Sequence, residues 1–202
     1  MRRLSQMMTK PIQRIIIGFA LIGLAGCETT IPPREFPELR YNHLPPIRLD
    51  AVRVDVVQEY KSTGVRPYVE HEFPRRPATV AARWATDRLQ AVGTQNFVRV
   101  TILKGSVVEV PLAQSKGVKS VYTIDQSEKY DGTLSVRIEI IGPGGQQLAY
   151  VASQATQSRS VPENITLADR EQTWFRMTEA MMNDLNRSLE RQIKQHFKAW
   201  LR

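Results

Sequence analysis

Cysteine is almost missing: Cys27 is the only one in 202 residues. A lone thiol forms no intramolecular disulfide, so the fold must rest on its own apolar core. Histidine is scarce as well. His43, His71 and His196 stand far apart and none has a partner at metal-ligand spacing, which argues against a His/Cys metal site. No serine sits in a nucleophile elbow. Gly142-Pro143-Gly144-Gly145 lacks the Lys-Ser/Thr of a phosphate loop and reads as a turn. Glu70-His71-Glu72 is the nearest approach to an acid–base cluster, and it reads as part of a solvated loop. No internal repeat and no low-complexity tract is present. These absences leave catalysis without a residue set, and neither an enzymatic activity nor a cofactor is expected.

Acidic residues are missing from the start of the chain. The first 26 residues hold Arg2, Arg3, Lys10 and Arg14 and no Asp or Glu. They are followed by an apolar run, Ile15 to Leu24, and then by Ala25, Gly26 and Cys27. A positive segment, an apolar stretch and small residues at a cut site are the three parts of a secretory signal. The run is about half the roughly 20 residues needed to cross a bilayer core of about 30 Å. Leu24-Ala25-Gly26-Cys27 resembles the lipobox of bacterial lipoproteins. That resemblance implies that Cys27 receives diacylglycerol, that the chain is cut before it, and that the new amine is acylated. One acyl chain anchors only marginally, whereas two or more hold stably. Glu28, in place of the Asp that favours retention at the inner membrane in enteric members of that family, favours the periplasmic face of the outer membrane, with retention at the inner membrane as the alternative.

Charge is read against this start. The whole chain has 28 Lys+Arg and 20 Asp+Glu, a net of +8; without the four basic residues of positions 1–26 it stands at 24 against 20, a net of +4. Part of the basicity therefore belongs to the leader, which weakens any nucleic-acid reading, and no nucleic-acid partner is expected. Three segments follow: a leader over 1–26, a lipidated and proline-rich tether over 27–46, and a domain over 47–202. Pro32, Pro33, Pro37, Pro45 and Pro46 favour extended backbone. At about 3.1 Å per residue, such a tether reaches on the order of 60 Å if fully extended, and its second half reads equally well as a tail lying on the domain.

Within the domain the hydrophobic periods give an α+β pattern. Ile47 to Val57 reads as a strand whose apolar parity changes near Ala51, the mark of a bulge or of the true strand start. A long loop follows from Glu59 to Arg76. A first helix is expected from Pro77 or Thr79 to about Val92, stopped by Gly93. Its packing face would be Ala81, Trp84, Ala85, Arg88/Leu89 and Val92, with Arg83 and Asp87 paired on the wet face. A second strand is expected over Asn96 to Val110 with a bulge at Gly105. Pro111 to Lys119 reads as a loop, and Ser120 to Gln126 is ambiguous. Tyr130 to Ile141 alternates most clearly, and a hairpin turn returns the chain as an edge strand over Gln147 to Ser160. Thr166 to Asp169 reads as a capping box opening a helix that runs to the C-terminus. At about 1.5 Å per residue that helix reaches about 52 Å and would outrun a twelve-residue strand of about 40 Å. The expected fold is a two-layer sandwich: a four-stranded, mainly antiparallel sheet with two helices on one face, in the order β-α-β-β-β-α.

Two basic features stand out as candidate contacts for a lipid headgroup or an acidic partner. Arg75 and Arg76 precede a helix N-terminus, where unpaired N–H groups favour anions. Arg187, Arg191, Lys194 and Lys198, continued by Arg202, form one stripe on the last helix beside an apolar stripe of Leu189, Ile193, Phe197 and Trp200. A basic amphipathic helix of this kind suits an anionic membrane or a partner protein. The order of elements after a lipobox resembles two families of envelope lipoprotein, the lipopolysaccharide-assembly lipoprotein and the auxiliary lipoprotein of ABC-type lipid-transport systems. That resemblance implies a non-enzymatic adaptor in envelope assembly or lipid transport, held to the membrane by its lipid and working with an envelope protein. The alternative reading is a carrier that encloses lipid or lipopolysaccharide between sheet and helices.

Overall fold

Leu134, Val136, Ile138 and Ile140 alternate along one strand and are all fully buried. A strand with one greasy side must be covered on that side only, and the remaining elements arrange themselves accordingly. The computed structural model describes residues 35–112 and 126–202. Its elements are β1 (Ile47–Leu49), β2 (Val54–Gln58), α1 (Pro77–Arg88), β3 (Leu89–Ala91), β4 (Phe97–Pro111), β5 (Gln126–Ile141), β6 (Gln147–Pro162) and α2 (Leu167–His196), then a 3₁₀ turn at Lys198–Trp200. The main sheet has the order β2-β4-β5-β6. β2 lies parallel to β4, and the other two pairings are antiparallel. Both helices cover one face, and their core joins Val98, Val100 and Ile102 of β4 to Trp84 of α1 and Met181, Leu185 and Leu189 of α2. The fold is thus α+β, with a four-stranded, mainly antiparallel sheet. A separate parallel pair, β1 with β3, is added to it.

That pair resolves the change of parity near Ala51. Ile47 and Leu49 belong to the small sheet and Val54 to Gln58 to the large one, so the shift marks a step between two sheets rather than a bulge within one strand. It also shortens the first helix. α1 stops at Arg88, and Leu89 turns to extended backbone at φ −98°, ψ 125°. β1 offers an open edge there, and Leu89-Gln90-Ala91 pairs with it residue for residue. Leu89 stays buried, but Val92, expected on the packing face, is 51% exposed. Gly93 has a different reason to be glycine. A Cβ there would lie 2.8 Å from the Ala51 nitrogen, because the chain passes tightly against the end of β1.

Gly105 is likewise a site of close approach. The pairing of β4 with β5 slips between Ile102 and Lys104, two residues before the glycine. At Gly105 itself a Cβ would meet Ala78 Cβ at 2.7 Å and the Ala78 backbone at 3.0 Å, so α1 begins hard against β4. The hairpin after β5 forms as expected, with Gly145 N donating to Gly142 O at 2.9 Å. β6 is the edge strand. The loop reading for Pro111 to Lys119 and the ambiguous stretch Ser120 to Gln126 lie almost wholly in 113–125, outside the described residues.

α2 opens on the expected cap: Asp169 N donates to Thr166 Oγ1 at 3.1 Å, and that hydroxyl donates to Asp169 Oδ2 at 2.8 Å. The helix does not outrun the sheet. Its 30 residues span about 45 Å, while the 16 residues of β5 span about 53 Å. At Phe197, which is fully buried, the chain leaves the helix and folds back. Asp50 N then donates to Trp200 O at 2.7 Å, and Leu201 bridges Leu49. Burial of Phe197 ends the helix, since a straight continuation would carry that ring past the end of the core.

Candidate functional site

The lipobox residues Leu24, Ala25 and Gly26 and the lipidation residue Cys27 lie outside the described residues. The structure begins to bear on them at position 35, where the segment read as the second half of a tether is laid down on the helices. Phe36 packs against Phe175 of α2, with the rings tilted by 31° and their centroids 5.3 Å apart. Arg40 grips Asp87 with two hydrogen bonds, of 3.0 and 2.8 Å, and Tyr41 N donates to the same carboxylate at 2.9 Å. Tyr41 is 5% exposed. Burial, together with the nearby charge of Glu179, pushes its phenol up to about 12. At the far end Arg88, itself buried, donates to Pro45 O and to Glu190 at 2.7 Å, tying segment, α1 and α2 together. Residues 36–46 therefore form a strap over the helix layer, as the reading of a tail lying on the domain implies.

The strap accounts for three side chains read differently from sequence. Arg83 and Asp87 do not pair with each other: Arg83 takes Glu38, and Asp87 takes Arg40. Both partners lie some 45 residues away, and no local spacing announces them. Arg75 is consumed in the same way. Its guanidinium donates to Phe36 O and to Pro37 O at 3.1 Å, and pairs with Glu38 at 3.1 Å. Arg76 remains exposed at the start of α1, where no side chain caps the helix. The expected arginine pair is thus split: Arg75 fastens the strap, while Arg76 faces an open cleft of about 400 Å³ with Lys61, Ser62 and Thr79.

The wall of that cleft contains the largest departure from the sequence reading. Glu70 is 2% exposed, not solvated. It accepts from Tyr60 Oη at 2.6 Å and from Val107 N at 3.0 Å. Burial raises the carboxyl's pKa, but hydrogen bonds from Ser62, Tyr60 and Val107 outweigh it, and the net shift is downward. The Tyr60 phenol moves up for the complementary reason, burial first and then the Glu70 carboxylate. Val69 N donates to Val107 O at 2.9 Å and Glu109 N to Pro67 O at 2.8 Å, so the loop continues the edge that β2 leaves uncovered on β4. His71 and Glu72 stay at the surface, 3.7 Å apart. The Glu-His-Glu run is a fastening point, and its three members do not converge on one site.

Three members of the expected stripe, Arg187, Arg191 and Lys194, lie on α2 and face outward, whereas Lys198 falls in the 3₁₀ turn beyond the helix, because burial of Phe197 turns the chain back first. Arg187, Arg191, Lys194 and Lys198 are all exposed. Arg187 pairs with Asp184, and Lys194 with Glu190 at 2.6 Å. The Lys194 hydrogen bond, aided by the Arg88 charge, holds the Glu190 carboxyl below its ordinary value against the opposing effect of burial. Among the described residues, Arg191 and Lys198 have no ion pair. The neighbouring apolar stripe is spent inside the molecule: Leu189, Ile193 and Phe197 are fully buried. Trp200, the last member of that stripe, is half-buried in the turn beyond the helix, so the face offers a partner mainly charge. Strap and stripe meet in one groove, where Arg40, Tyr41, His43 and Leu44 line one side and Glu179, Asn183 and Arg187 the other.

The opposite face of the sheet is uncovered. Asp55, Arg99, Glu139 and Tyr150 form a row across all four strands. Arg137 lies 4.7 Å over the Tyr150 ring, and Arg53 lies 4.4 Å over Phe97. Signs alternate there and the aromatic rings are half shielded by cations.

Comparison with known proteins gives little beyond this geometry. No family model and no curated protein matches the chain. Among solved structures, a minor lipoprotein from Acinetobacter baumannii is similar at 14% identity and a TM-score of 0.36, over 71% of this chain and 92% of that one. A chain described as a candidate lipoprotein from Caulobacter crescentus is similar at 12% identity and a TM-score of 0.26, over 64% and 83%. Likeness this distant decides neither fold nor function.

Proposed function

We propose that this chain is a lipid-anchored protein of the bacterial envelope, acting from the periplasmic face of the outer membrane as a non-enzymatic adaptor in envelope assembly or lipid transport. One observation carries the reading: a basic segment and an apolar run lead directly into Leu24-Ala25-Gly26-Cys27, with no other cysteine in the chain. The geometry supports an adaptor over a lipid carrier. Between sheet and helices the space is filled by Trp84, Leu134, Ile138, Met181, Met182 and Leu185, each fully buried. An acyl chain would have to displace them. The uncovered sheet face and the β6 edge are the surfaces left for an envelope partner.

The anchor is tested directly. Cys27→Ser should leave an uncut precursor that takes up no labelled palmitate, and normal processing of that variant would sink the reading. Crosslinking in intact envelopes tests the adaptor role: one recurrent protein partner is expected, and a protein that stays free at every crosslinker length speaks against it.

A further inference from the structure

We propose that the helix face of the domain docks on an anionic phospholipid surface, with the basic stripe of α2 as a second attachment beside the lipid on Cys27. This rests on the lipoprotein reading and adds an orientation to it. The first ground is chain length. Because residues 36–46 are strapped down, Cys27 and the point where the described chain begins, Glu35, are eight residue steps apart. At no more than about 3.6 Å each, those steps reach at most about 29 Å whatever their conformation. The expected 60 Å tether would leave every face free to meet the membrane, whereas this leash keeps the start of the strap close to it.

The second ground is position. Phe36 lies on Phe175 of α2, and further along, the strap shares a groove with Arg187. The leash therefore emerges on the face that carries the stripe. The third ground is charge. Arg191 and Lys198 have no ion pair among the described residues, and the acids beside Arg187 and Lys194 are each matched by a cation. Glu190 is shared between Lys194 and Arg88, so the stripe keeps a net positive charge. The sheet face alternates in sign along Asp55, Arg99 and Glu139 and offers no comparable field. Because the apolar side of α2 is buried, the contact is electrostatic and lies at headgroup level. Each basic residue held at an anionic surface strengthens binding by about fivefold, screened within a Debye length by salt.

The test uses the mature chain from residue 27 carrying Cys27→Ser, which removes the lipid and leaves the domain's own affinity. It is sedimented with phosphatidylcholine vesicles with and without phosphatidylglycerol. Binding is expected only with phosphatidylglycerol, and high salt should release it. Replacing Arg187, Arg191, Lys194 and Lys198 together by Ser should weaken it at least about tenfold, with an unchanged circular dichroism spectrum. Arg99→Ser with Arg137→Ser, on the sheet face, should leave it unchanged. Equal binding to both vesicle types, no binding to either, or an undiminished quadruple variant overturns the docking. Palmitate labelling of the parent chain is read separately. Labelled Cys27 with a domain indifferent to phosphatidylglycerol removes this proposal alone, and unlabelled Cys27 removes the lipoprotein reading.

Discussion

At the scale of single residues, Glu70 shows how burial and hydrogen bonding decide a charge. A carboxylate taken out of water is costly unless donors replace the water it loses. Here Tyr60, Ser62 and the Val107 amide do so. The group's pKa in the folded state falls below its ordinary value of 4.5. A depressed folded value means that the stabilisation is complete above the unfolded pKa, and is lost as the pH falls through the folded one. Glu70→Gln turns an amide N–H toward donors and should cost about 1–3 kcal/mol at neutral pH. Urea denaturation at neutral and acid pH should show the parent losing stability on acidification and the variant losing less. Parallel acid limbs would show that the Glu70 carboxyl takes up its proton alike in the folded and unfolded states, and would overturn the depressed value. Nothing local marks this residue: it sits between Val69 and His71 in a loop, and its donors lie at positions 60, 62 and 107.

At the scale of elements, the strap is a unit held by side chains of both helices. Arg75, Arg83 and Arg88 fasten its two ends and Phe36 packs on α2, while at its middle Asp87 supplies both the charge for Arg40 and an acceptor for the Tyr41 amide. Asp87→Ala should weaken the strap by about 1–2 kcal/mol, so that it opens about tenfold more often. Limited trypsin digestion should then cut after Arg40 about tenfold faster while the rest of the domain resists, and an unchanged rate would show that the other contacts suffice. The elements legible in the sequence are those whose cause is local. β5 announces itself by alternation and α2 by a capping box and a sustained stripe, and both form. The shortened α1, the β3 strand and the strap each answer to a distant partner. Leu89 leaves the helix because β1 has an open edge, and Arg83 and Asp87 separate because Glu38 and Arg40 reach them first. Gly93 and Gly105 were visible as exceptions, but a tight approach and a helix stop or bulge look the same in one dimension. At the candidate site the spacing of Arg187, Arg191 and Lys194 was legible, whereas the turn that takes Lys198 off the helix depended on burial of Phe197 and the division of labour between Arg75 and Arg76 on the strap.

At the scale of the whole molecule, the two ends of the domain are stitched together. Leu201 bridges Leu49, Arg202 N donates to Arg48 O at 3.1 Å, and the Arg202 side chain pairs with Asp50. Deleting Leu201 and Arg202 should cost about 2 kcal/mol, which lowers the melting temperature by about 4–8 °C in a domain of this size. Thermal melting followed by circular dichroism measures this directly, and a shift within error would show the stitch to be ornamental. The same stitch imposes a timetable. The Arg202–Asp50 pair spans 152 positions, so a chain that emerges N-terminus first exposes β1 long before its last partner arrives. Loops of that length close slowly. Throughout that interval the small sheet lacks one edge, and the ridge formed by Ile47 and Leu49 has no cover from Phe197. Any factor that escorts the emerging chain would find its longest-lived vacant surface there, at the first strand of the domain.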